Sequence, residues 1–173
     1  KLTNAQKNAV DDILKDLSSK KAMNRLLEGD VGSGKTIVAA ISMYIAFLNG
    51  FQSAFMAPTE ILAKQHFDTI SKLLSPLGVR VDLITGNTKN IQNTKYDIQN
   101  TDVVIGTHSL VYKKAEFNNL GLIVIDEQQR FGVEQRSILR QKGNNSHLLT
   151  MTATPIPRTV ALTLYGDLDL SIL

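Results

Sequence analysis

Eight consecutive residues, Gly29-Asp30-Val31-Gly32-Ser33-Gly34-Lys35-Thr36, limit what this chain can fold into more than any other feature. They match the phosphate-cradling loop G-x-x-x-x-G-K-[ST] at every defined position. Such a loop works only between a strand and a helix. Its glycines let the backbone bend so that successive N–H groups point inward at phosphate oxygens, and the helix behind adds the positive end of its dipole. The flanking residues supply both: Asn24-Arg25-Leu26-Leu27-Glu28 reads as a strand, and Ile37 to Leu48 as an apolar helix opening near Lys35. Lys35 then reaches the β- and γ-phosphates, the Thr36 hydroxyl is placed to ligate Mg²⁺, and residues 29–36 line a nucleotide site.

Helical and strand-like periods alternate along the whole chain. Asn4 to Leu17 is predicted as a helix capped by Thr3, and the Ile37–Leu48 helix is closed by Gly50. Phe51 to Ala57 reads as a strand stopped by Pro58, and Thr59 caps a helix running to about Leu74. In that helix Ile61, Leu62, Gln65, His66, Thr69, Ile70 and Leu73 have helical spacing. Val79–Ile84, Asp102–Gly106, Leu120–Ile125 and His147–Met151 read as strands. Further helices are predicted over 88–100, Val133–Gln141 and Arg158–Tyr165, the last after the Pro155-Ile156-Pro157 break. This alternation predicts an α/β fold, a mostly parallel sheet with helices on both faces. Ligands of such sheets sit beyond the carboxyl ends of the strands. Polar residues gather at those points: Thr59-Glu60, Thr107-His108, Asp126-Glu127 and Thr152-Ala153-Thr154.

Composition excludes several classes. At 173 residues, 43% hydrophobic and 20% charged, the chain has the make-up of one globular domain. It has no cysteine, hence no disulfide framework and no thiolate metal site, which fits the cytoplasm. Its three histidines lack metal-ligand spacing. The net charge of +3 gives no bulk field strong enough to hold nucleic acid, so any DNA contact must come from particular residues. No apolar run reaches the length of a membrane span, so no membrane contact is expected. The first residue is Lys1 and the last three are Ser171-Ile172-Leu173, an apolar stretch, from which we expect a domain excised from a longer protein.

Leu122-Ile123-Val124-Ile125-Asp126-Glu127 supplies the second half of a nucleotide site. An apolar strand that delivers a carboxylate at its end is how a nucleoside triphosphatase holds Mg²⁺ opposite the loop threonine. Asp126 is the metal residue in this reading, and Glu127 orients the attacking water. A small-molecule kinase built on the same loop is the competing class. It needs an acceptor pocket and an arginine-bearing lid, neither of which the sequence offers. Other residues carry two readings. Thr59 is a helix cap or faces ligand, His108 contacts phosphate or bonds backbone, and Arg130 and Arg136 form surface ion pairs or take a DNA or interdomain role. His66, in mid-helix, reads as a packing residue.

Asp126-Glu127-Gln128-Gln129 is similar to the Asp-Glu-x-His/Gln box of superfamily 2 helicases and translocases. Leu2-Thr3-x-x-Gln6 resembles their upstream glutamine motif, Ala57-Pro58-Thr59-Glu60-Ile61-Leu62-Ala63 motif Ia, Gly106-Thr107-His108-Ser109-Leu110 motif Ib, and Thr152-Ala153-Thr154-Pro155 motif III. Within that superfamily, residues 126–136 and 151–159 resemble the RecG family of bacterial branch-migrating DNA helicases. Transcription-repair coupling factors share the Arg-Phe-Gly and Pro-Ile-Pro-Arg-Thr runs. They usually carry a second Glu at the position of Gln128 and differ over Tyr165–Asp169. One departure from the RecG pattern is Gln129, where histidine is common.

The resemblance implies a RecA-like motor domain that uses ATP and Mg²⁺ and acts with a second RecA-like domain and a wedge domain on branched or duplex DNA in the bacterial cytoplasm. It implies that Gln6 reads adenine and that Glu127 is the base. Gln128 would link the γ-phosphate to motif III, where Thr152 and Thr154 couple hydrolysis to the partner domain. Thr59, Thr107, His108 and Arg130 would lie along the DNA. No arginine finger is evident in cis, so the chain alone is expected to bind ATP weakly and hydrolyse it very slowly.

Overall fold

A computed structural model describes residues 1–85, 98–107, 110, 117–126, 146–154 and 168–173. Among the described residues seven strands form one sheet: β1 Asn24–Glu28, β2 Gln52–Met56, β3 Val81–Ile84, β4 Val103–Gly106, β5 Leu120–Asp126, β6 His147–Thr152 and β7 Asp169–Ile172. Their order is β3-β4-β2-β5-β6-β1-β7, and every neighbouring pair is parallel. Parallel neighbours cannot be joined by tight turns, so the chain crosses over the sheet between them. Two such segments are α2 Lys35–Leu48, after β1, and α3 Glu60–Leu74, after β2, whereas α1 Asn4–Leu17 precedes β1. With all strands running one way, every carboxyl end lies on the same edge.

The central strands are buried on both faces, as their unbroken Val, Ile and Leu content predicts. One face, carrying Leu27, Phe55, Val103, Ile105, Leu122, Val124, Leu149 and Met151, packs against α1, α2 and α3. Residues Ala9 and Ile13 of α1, Val38, Ala39 and Met43 of α2, and Ala63, Ile70 and Leu74 of α3 meet it. Ala54, Met56, Val104, Ile123 and Ile125 point to the opposite face, where Leu110, Ile98 and Phe117 join them. Among the described residues no helix is long and apolar enough to cross a membrane.

Local signals set the helix ends. Thr3 and Gln6 form a reciprocal capping box on α1: Gln6 N–H donates to Thr3 Oγ1, and Thr3 N–H to Gln6 Oε1. Thr59 Oγ1 accepts from Leu62 N–H at the start of α3. Gly50, at φ +76°, turns the chain out of α2. The α3 stripe differs in phase from the sequence expectation. Ala63, Ile70 and Leu74 are buried, whereas Ile61 and Leu73 are 74% and 41% exposed. Small Ala63 is fully buried in the core on this face. Of the helix expected over 88–100, residues 88–97 lie outside the described residues, and Ile98–Asn100 form a 3₁₀ turn. The helices expected over 133–141 and 158–165 lie outside the described residues.

Strand β7 was not anticipated. Its single buried residue is Ser171, while Ile172 is 62% exposed, so its pattern is inverted relative to an ordinary edge strand. What holds it is polar. Arg25 of β1, itself buried, donates from Nε to Asp16 Oδ2 at 2.6 Å and from Nη1 to Ser171 Oγ at 2.9 Å. Ser171 Oγ in turn donates to Asp12 Oδ2 at 3.0 Å. A buried guanidinium needs such compensation. Here the compensation ties α1, β1 and β7 together.

At the amino edge, buried Gln52 uses the full capacity of its amide. Its Nε2 donates to Ile98 O and Thr101 O, both at 2.6 Å, and its Oε1 accepts from Asn118 N and Asn119 N at 2.8 and 3.1 Å. Gln52→Leu strands four main-chain groups, some of which water can reach. We expect a loss of about 2–4 kcal/mol, or roughly 5–15 °C in Tm for a domain of this size. Thermal denaturation followed by circular dichroism measures it, and an unchanged Tm would mean that water fully replaces the amide.

Candidate nucleotide site

The loop between β1 and α2 has the shape that its sequence demands. Gly32 and Gly34 lie at φ +84° and +91°, where side chains are rarely accommodated. Gly29 has an ordinary φ but no room: a Cβ there would stand 2.6 Å from Ser33 Oγ and 2.9 Å from Leu173 Cβ. A Cβ on Gly34 would stand 2.3 Å from Gln6 Nε2. Gly34 is the N-cap of α2 and offers no capping side chain, so the first amides of a 14-residue helix open into the loop. Ser33 Oγ is buried without a hydrogen-bond partner. Asp30, Val31 and Gly32 form the exposed rim, and Thr36 is half-buried in the first turn of α2. Lys35 folds back over the loop: its Nζ donates to Gly29 O at 2.6 Å and to Asp30 O at 2.9 Å.

Three neighbours brace this loop. Gln6 Nε2 donates to Ser33 O at 2.8 Å, so the α1 cap residue also touches the loop. Gly29 N–H donates to Thr152 O at 3.2 Å, and Leu173 N–H to Glu28 O at 2.8 Å. Thr152, the last residue of β6, is 0% exposed, and its Oγ1 accepts from Thr154 N–H and lies 3.0 Å from Thr154 Oγ1. The two threonines of the proposed coupling segment therefore form one small turn, attached to the loop through the Thr152 carbonyl.

Asp126 ends β5, with β6 lying between β5 and β1. The register fixes its height: Asp126 pairs with Met151, and Met151 with Leu27, so the carboxylate stands just below the start of the loop. Strands are about 4.8 Å apart, which puts the two elements roughly 10 Å from each other at the same edge. Asp126 is 8% exposed, and its Oδ2 is 2.8 Å from His66 Nε2. His66 comes from α3 and packs its ring on Phe55 with centroids 4.6 Å apart. The packing anticipated for His66 is there; the bond to Asp126 was not anticipated. No local pattern could announce it, because the two residues are 60 apart in sequence.

Of the remaining candidates, Thr59 acts as the α3 cap, and Thr107 follows β4 half-buried at the same carboxyl edge. Gly106 before it is required by contact, since a Cβ would stand 2.3 Å from Ile84 O. Glu127, Gln128, His108 and Arg130 lie outside the described residues.

The donor set suits a hard divalent cation held partly by substrate. A hydroxyl and a carboxylate are oxygen ligands of the kind Mg²⁺ takes when phosphates and water complete its shell. Among the described residues, no three His, Asp or Glu side chains gather as a self-sufficient metal cage.

Comparison with known proteins agrees with this geometry. The RecG ATP-dependent DNA helicase of Streptococcus pneumoniae is 51% identical over 178 residues, covering 99% of this chain and 26% of that protein. Its counterpart in Aquifex aeolicus is 52% identical, covering 100% and 23%. The chain thus spans about a quarter of the length of the curated relatives it matches. The structure of RecG bound to a three-way DNA junction superposes with a TM-score of 0.85 at 47% identity, over 99% of this chain and 24% of that one. The DUF1998 helicase MrfA, at 19% identity and TM-score 0.75 over 99% of this chain and 27% of that one, shares the fold. The fold is therefore the RecA-like helicase fold. The DEAD/DEAH box helicase family model matches from residue 3, the α1 cap, to residue 163, and so takes in the phosphate loop, the Asp126 strand and motif III. The chain belongs to the DEAD/DEAH box helicase family.

Proposed function

We propose that this chain is the first RecA-like motor domain of a longer bacterial DNA helicase, one that hydrolyses ATP with Mg²⁺ and, with a second motor domain and a wedge domain, remodels branched DNA. The observation that carries this reading is the convergence of the phosphate loop and the Asp126 carboxylate at one sheet edge, two strands apart. Half-identity to RecG ATP-dependent DNA helicases over nearly the whole chain supports the DNA substrate.

In this reading the loop amides and the open N-terminus of α2 take the phosphates. Lys35 exchanges its bonds to Gly29 O and Asp30 O for β- and γ-phosphate oxygens. Because those carbonyls already hold the ammonium over the loop, little side-chain entropy remains to be lost on binding. Gln6 stands beside the loop and offers its amide to adenine. When bound, Mg²⁺ neutralises the charge that develops on the phosphates, and Thr36 and Asp126 are the residues that would hold it. Glu127 orients water and accepts its proton as oxygen bonds to the γ-phosphorus and the bridging bond to ADP breaks. Gln128 reports the γ-phosphate to Thr152 and Thr154. Thr59, Thr107, His108 and Arg130 face the DNA.

Two measurements test the reading. Lys35→Ala removes the only side-chain cation of the loop, and we expect affinity for a fluorescent ATP analogue to fall at least about tenfold, the cost of losing a charge-assisted bond. Unchanged affinity would discard the site. In the longer protein, Glu127→Gln is expected to leave ATP binding intact while hydrolysis drops by about 10²-fold or more. The chain alone, without an arginine finger worth about 10³–10⁵ in rate, should turn over very slowly with or without DNA. Robust DNA-stimulated hydrolysis by these 173 residues would contradict that.

A further inference from the structure

The His66–Asp126 contact joins a helix that carries no nucleotide ligand to the carboxylate at the centre of the proposed site. Both side chains are largely buried, 13% and 11% exposed, and Nε2 to Oδ2 is 2.8 Å. An ionised carboxylate only accepts hydrogen bonds, so the ring must donate from Nε2. Packing sets the donor's position. Phe55 of β2, 0% exposed, covers one side of the imidazole at 4.6 Å with the planes 46° apart. Ala63, Ile70 and Leu74 anchor α3 in the core on either side of His66 along the same stripe. A free aspartate rotates about two torsions; one whose Oδ2 is held by a rigid donor does not.

We propose that His66 is a positioning residue for the metal-binding carboxylate: it donates to Asp126 Oδ2 and thereby holds Oδ1 toward the magnesium–nucleotide complex. This rests on the function proposed above. Carboxylates that bind metals depend on such outer bonds, and their loss typically costs about 10–100-fold in metal affinity. The contact also ties the carboxylate to α3, so a displacement of the helix that begins at the Thr59 cap would reach Asp126 through one ring.

The test uses this chain, mant-ADP as fluorescent probe, and titrations in Mg²⁺ and in EDTA. Two variants separate positioning from packing. His66→Phe keeps the ring against Phe55 and removes the donor. His66→Gln loses the ring but carries an amide N–H the same number of bonds from Cα as Nε2. We expect His66→Phe to weaken the Mg²⁺-dependent gain in mant-ADP affinity by about 10–100-fold while leaving affinity in EDTA as in the parent chain. His66→Gln is expected to restore most of that gain. If His66→Phe does not melt cooperatively, His66→Ala carries the same comparison against His66→Gln. An unchanged Mg²⁺ dependence in His66→Phe overturns the proposal and leaves the nucleotide site standing. So does an equal loss with and without Mg²⁺ in every variant, which would mark His66 as packing alone. A parent chain that does not bind mant-ADP overturns the nucleotide reading itself, and one that binds it equally with and without Mg²⁺ overturns the assignment of Asp126 to the metal, and the role of His66 with it.

Discussion

The position of one strand governs the site. β6 pairs with β1 on one side and β5 on the other, and it therefore sets both the distance and the relative height of the phosphate loop and Asp126. Two strand spacings amount to about 10 Å, a gap that a polyphosphate and a hydrated cation can fill and that neither side chain could close by itself. The strand also supplies the Thr152 carbonyl that fixes Gly29. A register slip of β6 by one residue would turn its own side chains to the opposite faces and carry Thr152 away from the loop. Burial forbids the slip, because Leu149 and Met151 fill the helix-packed face while Leu148 fills the other.

The loop is over-determined by contact as well as by backbone angle. Gly32 answers to a positive φ, Gly29 to crowding by Ser33 and Leu173, and Gly34 to both a positive φ and the Gln6 amide. Gln6 is thereby a structural partner of the loop in addition to the capping residue of its own helix. Helix α1 is also held at its other end, where Asp12 and Asp16 meet Arg25 and Ser171. The amino-terminal helix is fastened to the loop at one end and to β1 and β7 at the other. A proposed adenine reader placed there cannot move independently of the phosphates.

Most of this architecture is legible in the sequence because strong local signals coincide with tertiary demand. α1 has its Thr3–Gln6 box, the loop has its glycines and lysine, and β1, β4 and β5 have β-branched or apolar runs with no competing period. What escapes is what depends on partners distant in sequence. β7 has a buried serine and an exposed isoleucine, so its hydropathy opposes its placement, and only the Arg25 network explains it. The α3 stripe is misjudged by hydropathy because Ile61 is apolar yet exposed, whereas Ala63 and His66 are the residues against the sheet. His66 has an aromatic neighbour on β2 and an acidic one on β5, and mid-helix spacing alone favours packing.

Four of the side chains given a role in the proposed site are already engaged by other parts of the fold. Lys35 is held by the carbonyls of Gly29 and Asp30, Asp126 by α3 through His66, Gln6 by Thr3 and Ser33, and Thr152 by Thr154. Preorganisation of this kind lowers the entropy lost on binding, because few rotamers remain to be frozen. It also has a mechanical consequence. A ligand that takes Lys35 must release the two carbonyls, and one that draws on Asp126 loads the bond to His66. Each exchange acts on a different element: the loop, α3 or the end of β6. In the proposed function, a binding event confined to the sheet edge would thus act on helices that extend away from it, through a sheet that is buried on both faces and resists deformation.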